Sequence, residues 1–295
     1  MKKGLEMGFE STLNKTADRV DEYEIKRLTH CLRFGLVTAM IVFFAMCLFA
    51  ERSFAQENND KTETQAKKGG GLDPTKKKLF VRSEYRKLES GTNNFVFDTL
   101  YETPITPQWF LRVSMPFKRN STSDGGENYG LGDFITRISY KAIDTDEGNR
   151  LFFGLENKWD TATDKALGSE KYTVSPLVSG FLRFPELKLV AFPSIQYVDT
   201  VGGDSARADS RNTTIKGSFV QILTDGYYLF YDPAFIWDHE RNDQSTGTLD
   251  FEYGRFVRGT DRDSMYYIRP GTTLWGDSTP FSFKWNIELG VRFFM

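Results

Sequence analysis

The chain closes on Trp285-Asn286-Ile287-Glu288-Leu289-Gly290-Val291-Arg292-Phe293-Phe294-Met295, and the apolar residues of this stretch fall at every second position. Trp285, Ile287, Leu289, Val291, Phe293 and Met295 share one phase, while Asn286, Glu288, Gly290 and Arg292 share the other. Successive side chains of a β-strand point to opposite faces, so the stretch reads as a strand with one greasy face and one polar, charged face. An aromatic-rich apolar stripe with charges behind it suits the wall of a membrane barrel, where one face meets lipid and the other a watery interior.

The same stretch resembles the C-terminal signal of bacterial outer-membrane barrels, which usually ends in Phe; here Phe293 and Phe294 precede a final Met295. On that reading, residues 285–295 are what the barrel-assembly machinery engages. The other end of the chain agrees. Residues 34–50 form an uncharged, mostly apolar run preceded by Arg27 and Arg33, and followed by Ser53-Phe54-Ala55 before Gln56. This is the layout of a secretory signal peptide, and it predicts residues 1–55 as a signal cleaved near Ala55. A retained membrane-spanning helix is the alternative for a run of this length. The true start falls at Met1, Met7 or later. Cleavage removes both cysteines, Cys31 and Cys47, leaving neither thiol nor disulfide.

The formal charge is −2, so no strongly basic surface invites nucleic acid. After residue 55 no apolar run is long enough for a transmembrane helix. Aromatics nevertheless make up 15% of the chain. A barrel accommodates both facts, because only alternate residues meet lipid and aromatics gather at the two interfaces.

Residues 56–78 are polar, with Lys and Gly runs, and read as a flexible periplasmic leader. From 79 to 295, segments of period two recur with turn signals between them. The expected strands cover 79–88, 94–103, 108–118, 130–142, 150–160, 171–183, 187–199, 212–223, 226–238, 247–258, 264–275 and 280–295. The fold class is therefore all-β: a single antiparallel transmembrane β-barrel of about twelve strands. Links near 103–107, 183–186, 224–225 and 259–263 are short. Those near 119–129, 160–170, 199–211 and 239–246 are longer and rich in Gly, Ser, Asp and Asn, as expected of external loops. Trp109, Tyr140, Trp159, Tyr172, Tyr197, Tyr227, Trp237, Trp275 and Trp285 lie near segment ends. A soluble sandwich, the competing all-β fold, seldom needs so many aromatics there.

If the apolar phase meets lipid, the polar phase lines the lumen. Candidate residues along a solute path are Arg82, Glu84, Arg86, Asp98, Glu102, Arg112, Glu156, Lys158, Asp250, Glu252, Arg269 and Glu288. Both charge signs are present, which predicts weak ion selectivity, or else a lumen closed by ion pairs. Leu289 and Phe251 should face out, and Glu288 and Glu252 in. A charge added outside should then cost more than one added inside. Phe152, Phe181, Phe192, Tyr228, Phe230 and Tyr267 share the inward phase, as packing or as an apolar slot for a solute. The expected partners are outer-membrane lipid and lipopolysaccharide, the assembly machinery and a small-molecule solute.

Enzyme signals are sparse. Beyond residue 55 the one histidine is His239, between Asp238 and Glu240, with Ser245 nearby. A membrane hydrolase using His239 is therefore a third reading, behind a channel and a non-conducting structural or adhesion barrel; the chain is not expected to be an enzyme. One histidine without cysteine supplies no Cys/His zinc site, and Asp144-Thr145-Asp146-Glu147-Gly148 lacks the ligand spacing of a calcium loop. No metal and no cofactor are expected.

One further pattern links distant parts of the chain. Gly130-Leu131-Gly132-Asp133 opens the segment Phe134–Tyr140; Asp160-Thr161-Ala162-Thr163, Leu167-Gly168-Ser169 and Ser175-Pro176-Leu177-Val178 follow. This order resembles the outer-membrane transporter family named for the meta-pathway of phenol degradation, whose members carry Gly-Leu-Gly-Asp, a Pro-Thr-Gly-like loop, then Leu-Gly and a Pro-containing strand. Here Asp160–Thr163 stands where the Pro-Thr-Gly would be. The resemblance implies a 12-stranded-type barrel for small, often hydrophobic or aromatic compounds. It transfers no catalytic residues.

Overall fold

A computed structural model of the protein describes residues 75–121, 126–257, 264–276 and 279–295. The expected signal peptide and most of the leader lie outside the described residues.

The described chain is a succession of strands: β1 (Lys78–Leu88), β2 (Asn93–Pro104), β3 (Trp109–Ser121), β4 (Glu127–Leu131), β5 (Phe134–Asp144), β6 (Arg150–Trp159), β7 (Lys171–Phe184), β8 (Leu189–Gly203), β9 (Arg211–Ile222), β10 (Tyr227–Asp238), β11 (Gln244–Val257), β12 (Ser264–Trp275) and β13 (Phe283–Phe294). Each pairs antiparallel with its neighbours, and β1 pairs with both β2 and β13, so the sheet closes on itself. β4 and β5 both pair with β3, one above the other, and act as a single interrupted stave. The result is a twelve-stave barrel. Closure removes the free edges that would leave backbone donors and acceptors unsatisfied in lipid. Lys78, assigned to the leader by sequence, is instead the first residue of the wall.

Register carries the sequence phase into three dimensions. Val81↔Val291, Ser83↔Leu289 and Tyr85↔Ile287 pair on one face; Arg82↔Gly290 and Glu84↔Glu288 pair on the other. The first face is outside, where Leu289 is 53% exposed and Ile287, Ile268, Leu155 and Met115 are exposed too. The aromatics form two girdles. Trp109, Tyr140, Tyr227, Tyr253 and Tyr266 sit towards the rim where β1 begins and β13 ends, here the terminal rim. Trp159, Tyr172, Tyr197, Trp237, Trp275 and Trp285 sit towards the opposite loop rim. Trp109 and Tyr140 pack at 4.9 Å, and Tyr227 stacks on Tyr253 at 5.6 Å. Interfacial Trp and Tyr place an apolar ring in lipid and a polar edge in water, which fixes a barrel's depth.

Leu289 lies mid-strand on the outer face, which yields an expected result. Leu289→Arg should cost roughly 2–4 kcal/mol, as for an arginine at the lipid midplane. Urea unfolding of the refolded protein in phospholipid vesicles measures it, and an unchanged midpoint would reverse the assignment of faces.

Candidate functional site: the barrel interior

The inner face divides into three zones. The first is a belt of charges at mid-height. Arg82 on β1 donates to Asp98 on β2 at 2.9 Å and to Glu288 on β13 at 3.2 Å, while the Ser114 hydroxyl donates to Asp98 at 2.7 Å. Glu252 on β11 receives Arg292 from β13 at 2.9 Å and the Tyr228 hydroxyl at 2.6 Å, and Arg269 from β12 lies 3.2 Å away. Glu288 takes the Tyr267 hydroxyl at 2.6 Å. Asp232 pairs with Lys216 at 3.1 Å and with Arg269 at 3.5 Å. The reach from β13 to β11 across β12 is possible only on the concave side of the sheet.

The remaining candidates form smaller groups. Glu102 holds Lys78 at 3.0 Å and also Arg112. Glu156 accepts from Arg137 at 2.6 Å and from Gln196 at 3.1 Å. Glu84 accepts from Arg86 at 2.7 Å and from Asn286 at 2.9 Å, and Asn286 also donates to Asp250 at 3.2 Å. Lys158 has no carboxylate within 4.0 Å among the described residues. All twelve sequence candidates thus sit on the inner phase, eleven of them in pairs or networks.

The sequence did not reveal how far these groups are withdrawn from water. Glu252 is 0% and Glu288 4% exposed. Burial of this degree raises the expected cost of changing these two charges, since a buried carboxylate with committed arginine partners is costly to remove. Sequence reading also missed the roles of Tyr228 and Tyr267, whose hydroxyls cap the two acids. Their shared inward phase with Glu252 and Glu288 was the available signal.

The second zone is apolar and lies towards the terminal rim. Phe152, Phe181, Tyr228, Met265 and Tyr267 are buried there, with Phe110, Phe192, Phe230, Phe256 and Phe294 packed against them. Rings meet edge to face: Phe110 with Phe152 at 6.0 Å, Phe181 with Phe192 at 5.5 Å, and Phe192 with Phe230 at 6.4 Å. Arg269 lies over Phe230 at 4.8 Å, joining this belt to the charges. Offset and edge contacts are the favourable ring geometries.

The third zone is the mouth at the loop rim. The link 160–170 does not project outward as a plain loop; it folds over the inner face of β3–β5. Thr163 exchanges contacts with Leu131, its hydroxyl receiving the Leu131 N–H at 3.1 Å. Ser169 gives its N–H and its hydroxyl to Asp133, both at 2.8 Å. Lys118 donates to the Leu167 carbonyl at 2.9 Å, and Leu167 is 1% exposed. Gly130 and Gly168 allow the approach: a Cβ on the first would lie 2.2 Å from the Thr163 hydroxyl oxygen, and one on the second 2.7 Å from Asp133 Oδ1. The two motifs that carry the family resemblance therefore pack on each other. Beneath the loop is a cavity of about 380 Å³ lined by Glu84, Arg86, Asn94, Lys118, Asn120 and Leu167 among others. Loop residue Glu170 has its carboxyl held below the ordinary range, first by its hydrogen bond from Lys165 and then by that from Arg207.

Near the loop rim, His239 contacts Thr213 Oγ1 and Asp243 Oδ1, each at 2.9 Å. Ser245 is buried with its hydroxyl unpaired, so the structure does not join it to His239.

No protein-family model and no curated protein matches the sequence. Solved structures match the fold. An outer membrane channel from Pseudomonas putida F1 superposes with TM-score 0.56 at 15% identity, covering 81% of this chain and 99% of that one. The NanC porin superposes with TM-score 0.53 at 13% identity, covering 73% and 98%. At these identities the likeness is one of fold: a closed barrel of outer-membrane type.

Proposed function

We propose that the chain is an outer-membrane channel for the passive passage of small solutes, exported by its N-terminal signal and placed in the membrane by the assembly machinery through residues 285–295. One observation carries this reading: the barrel keeps charge in contact with solvent on its inside while exposing Leu, Ile and Phe on its outside. The side chains of Arg82, Arg86 and Arg112 remain 36%, 37% and 33% exposed on the inner phase. Charged side chains lining a barrel lumen are what tune the passage of polar solutes. The fold likeness to a channel and a porin supports the same conclusion, and the terminal rim then faces the periplasm. The inner aromatic belt and the family resemblance support hydrophobic or aromatic compounds among the solutes. Nucleotide or redox coupling has no place in this account.

The hydrolase reading loses ground because His239 meets Thr213 and Asp243 rather than Ser245. A non-conducting structural barrel is the competing account, favoured by the dense pairing around Glu252. Refolded protein in a planar bilayer separates them. Discrete, small conductance steps with weak ion selectivity are expected, together with fractionation of the native protein with the outer membrane. Folded protein that yields no steps would shift the assignment to the structural barrel.

A further inference from the structure

We propose that the outer wall at the terminal rim carries a site for one phospholipid, whose anionic phosphodiester is held by the guanidinium of Arg255 among Tyr227, Tyr253 and Tyr266. The proposal goes beyond the channel reading: it depends on which face of the barrel meets lipid, not on whether the lumen conducts.

Phase and register build the site. On β11, Arg255 follows Phe251 and Tyr253 on the outer phase, where a cation is costly at mid-height and tolerated at an interface. It pairs with Tyr227 on β10 and with Tyr266 on β12, so one row across three strands reads Tyr-Arg-Tyr. The guanidinium lies over the Tyr227 ring at 4.9 Å, and that ring stacks on Tyr253 at 5.6 Å. The row lacks an acid. Elsewhere on the outer phase, Arg119 pairs with Glu127 and Arg211 with Glu240, both at the loop rim. Arg255 has no carboxylate within 4.0 Å among the described residues, and Asp225, in the turn before β10, acts on it from farther away. Its hydrogen-bonding neighbour, the Tyr266 hydroxyl, is neutral. Nε is sealed against the wall without a partner, so an anion meets the group at its terminal nitrogens.

The surroundings select lipid as the source of the anion. The three tyrosines belong to the terminal girdle, the level at which amphipathic rings meet phospholipid headgroups. One step towards mid-height the row is Leu229, Tyr253 and Ile268, of which Tyr253 and Ile268 are 44% and 41% exposed. Acyl chains descending from a phosphate at Arg255 would therefore run along an apolar track of the wall. A guanidinium fork matches phosphate oxygens in geometry as well as charge, and stacking on a tyrosine holds the fork in place. A cation–π contact also strengthens as water leaves, which a covering lipid accomplishes.

Native mass spectrometry of the full chain, refolded in non-ionic detergent, tests the site with dimyristoyl phosphatidylglycerol, dimyristoylglycerol and inorganic phosphate. One phosphatidylglycerol should be retained, and the phosphate-free dimyristoylglycerol should bind about tenfold more weakly. Arg255→Gln should weaken phosphatidylglycerol by about tenfold and Tyr227→Leu by about threefold. Arg119→Gln, whose arginine already has an acid, should leave it unchanged. Heat-modifiable gel mobility reports whether each variant folds. If Arg255→Gln does not, Arg255→Lys takes its place: it keeps the charge, loses the fork and should weaken the lipid by about threefold. Equal retention of the two lipids, unchanged affinity in the folded Arg255 variant, or an equal loss in Arg119→Gln would overturn the site. Inorganic phosphate that displaces the lipid at equal concentration would overturn it too, by showing a site for the free anion.

Discussion

Replacing Glu252 by alanine should remove roughly 3–5 kcal/mol of barrel stability, the range for breaking a buried ion pair from one side. Glu252 is fully buried and accepts from Arg292 and Tyr228, with Arg269 also adjacent. Its loss leaves two guanidinium groups facing each other in a low-dielectric interior without the charge that holds them together. The excess over an ordinary surface pair is the point of the measurement, because exposed pairs contribute about 1 kcal/mol or less. Urea unfolding in vesicles gives the number, and a cycle with Arg292→Ala isolates the pair: the double variant should lose less than the sum of the single losses. A loss as small as that of a surface pair would show that water enters the network freely.

The second large effect is on current. Phe192 and Phe230 are half-buried inner residues whose rings meet at 6.4 Å beside Arg269. An apolar constriction resists hydrated ions because water withdraws from it. Phe192→Ala combined with Phe230→Ala should therefore raise single-channel conductance severalfold, on the order of threefold, by widening and wetting that level. Phe251→Ala on the outer face is the control and should leave the step size unchanged. Equal steps in all three proteins would place the path of the ions away from the belt.

Much of the wall is readable from period alone, since lipid on one side and water on the other force strict alternation. Even the weakest segment, 212–223, forms β9: Ile215 and Phe219 keep the outer phase although Thr, Gly and Ser surround them. The break between β4 and β5 was not readable, because it comes from a distant partner. Gly132-Asp133 leaves the stave where Asp133 turns to receive Ser169, thirty-six residues on. The alternation of short and long links is only approximate. On the loop rim the link at 89–92 is as tight as those on the terminal rim, whereas β3 and β4 extend as a hairpin.

The interior was legible in composition but not in connection. Phase assigns Arg82 and Glu288 to the same face; their pairing depends on which strands become neighbours, and β1 and β13 are the two ends of the sequence. The inward turn of 160–170 was hidden for the same reason. Its polar composition is that of any external loop, and the glycines that admit it, Gly130 and Gly168, acquire meaning only when the two motifs meet.

The pairing of β1 with β13 also sets a timetable. Lys78 finds Phe294, and Arg82 finds Gly290, across almost the whole described sequence. Until the last strand has been made, the first has one side unoccupied, and no intermediate arc of staves can enter lipid without presenting raw backbone at both margins. Contacts of such long separation are slow to form by search. The finished barrel is therefore an event that waits on the final dozen residues, and a chain stopped short of Trp285 would be held as an unsealed sheet in need of an escort.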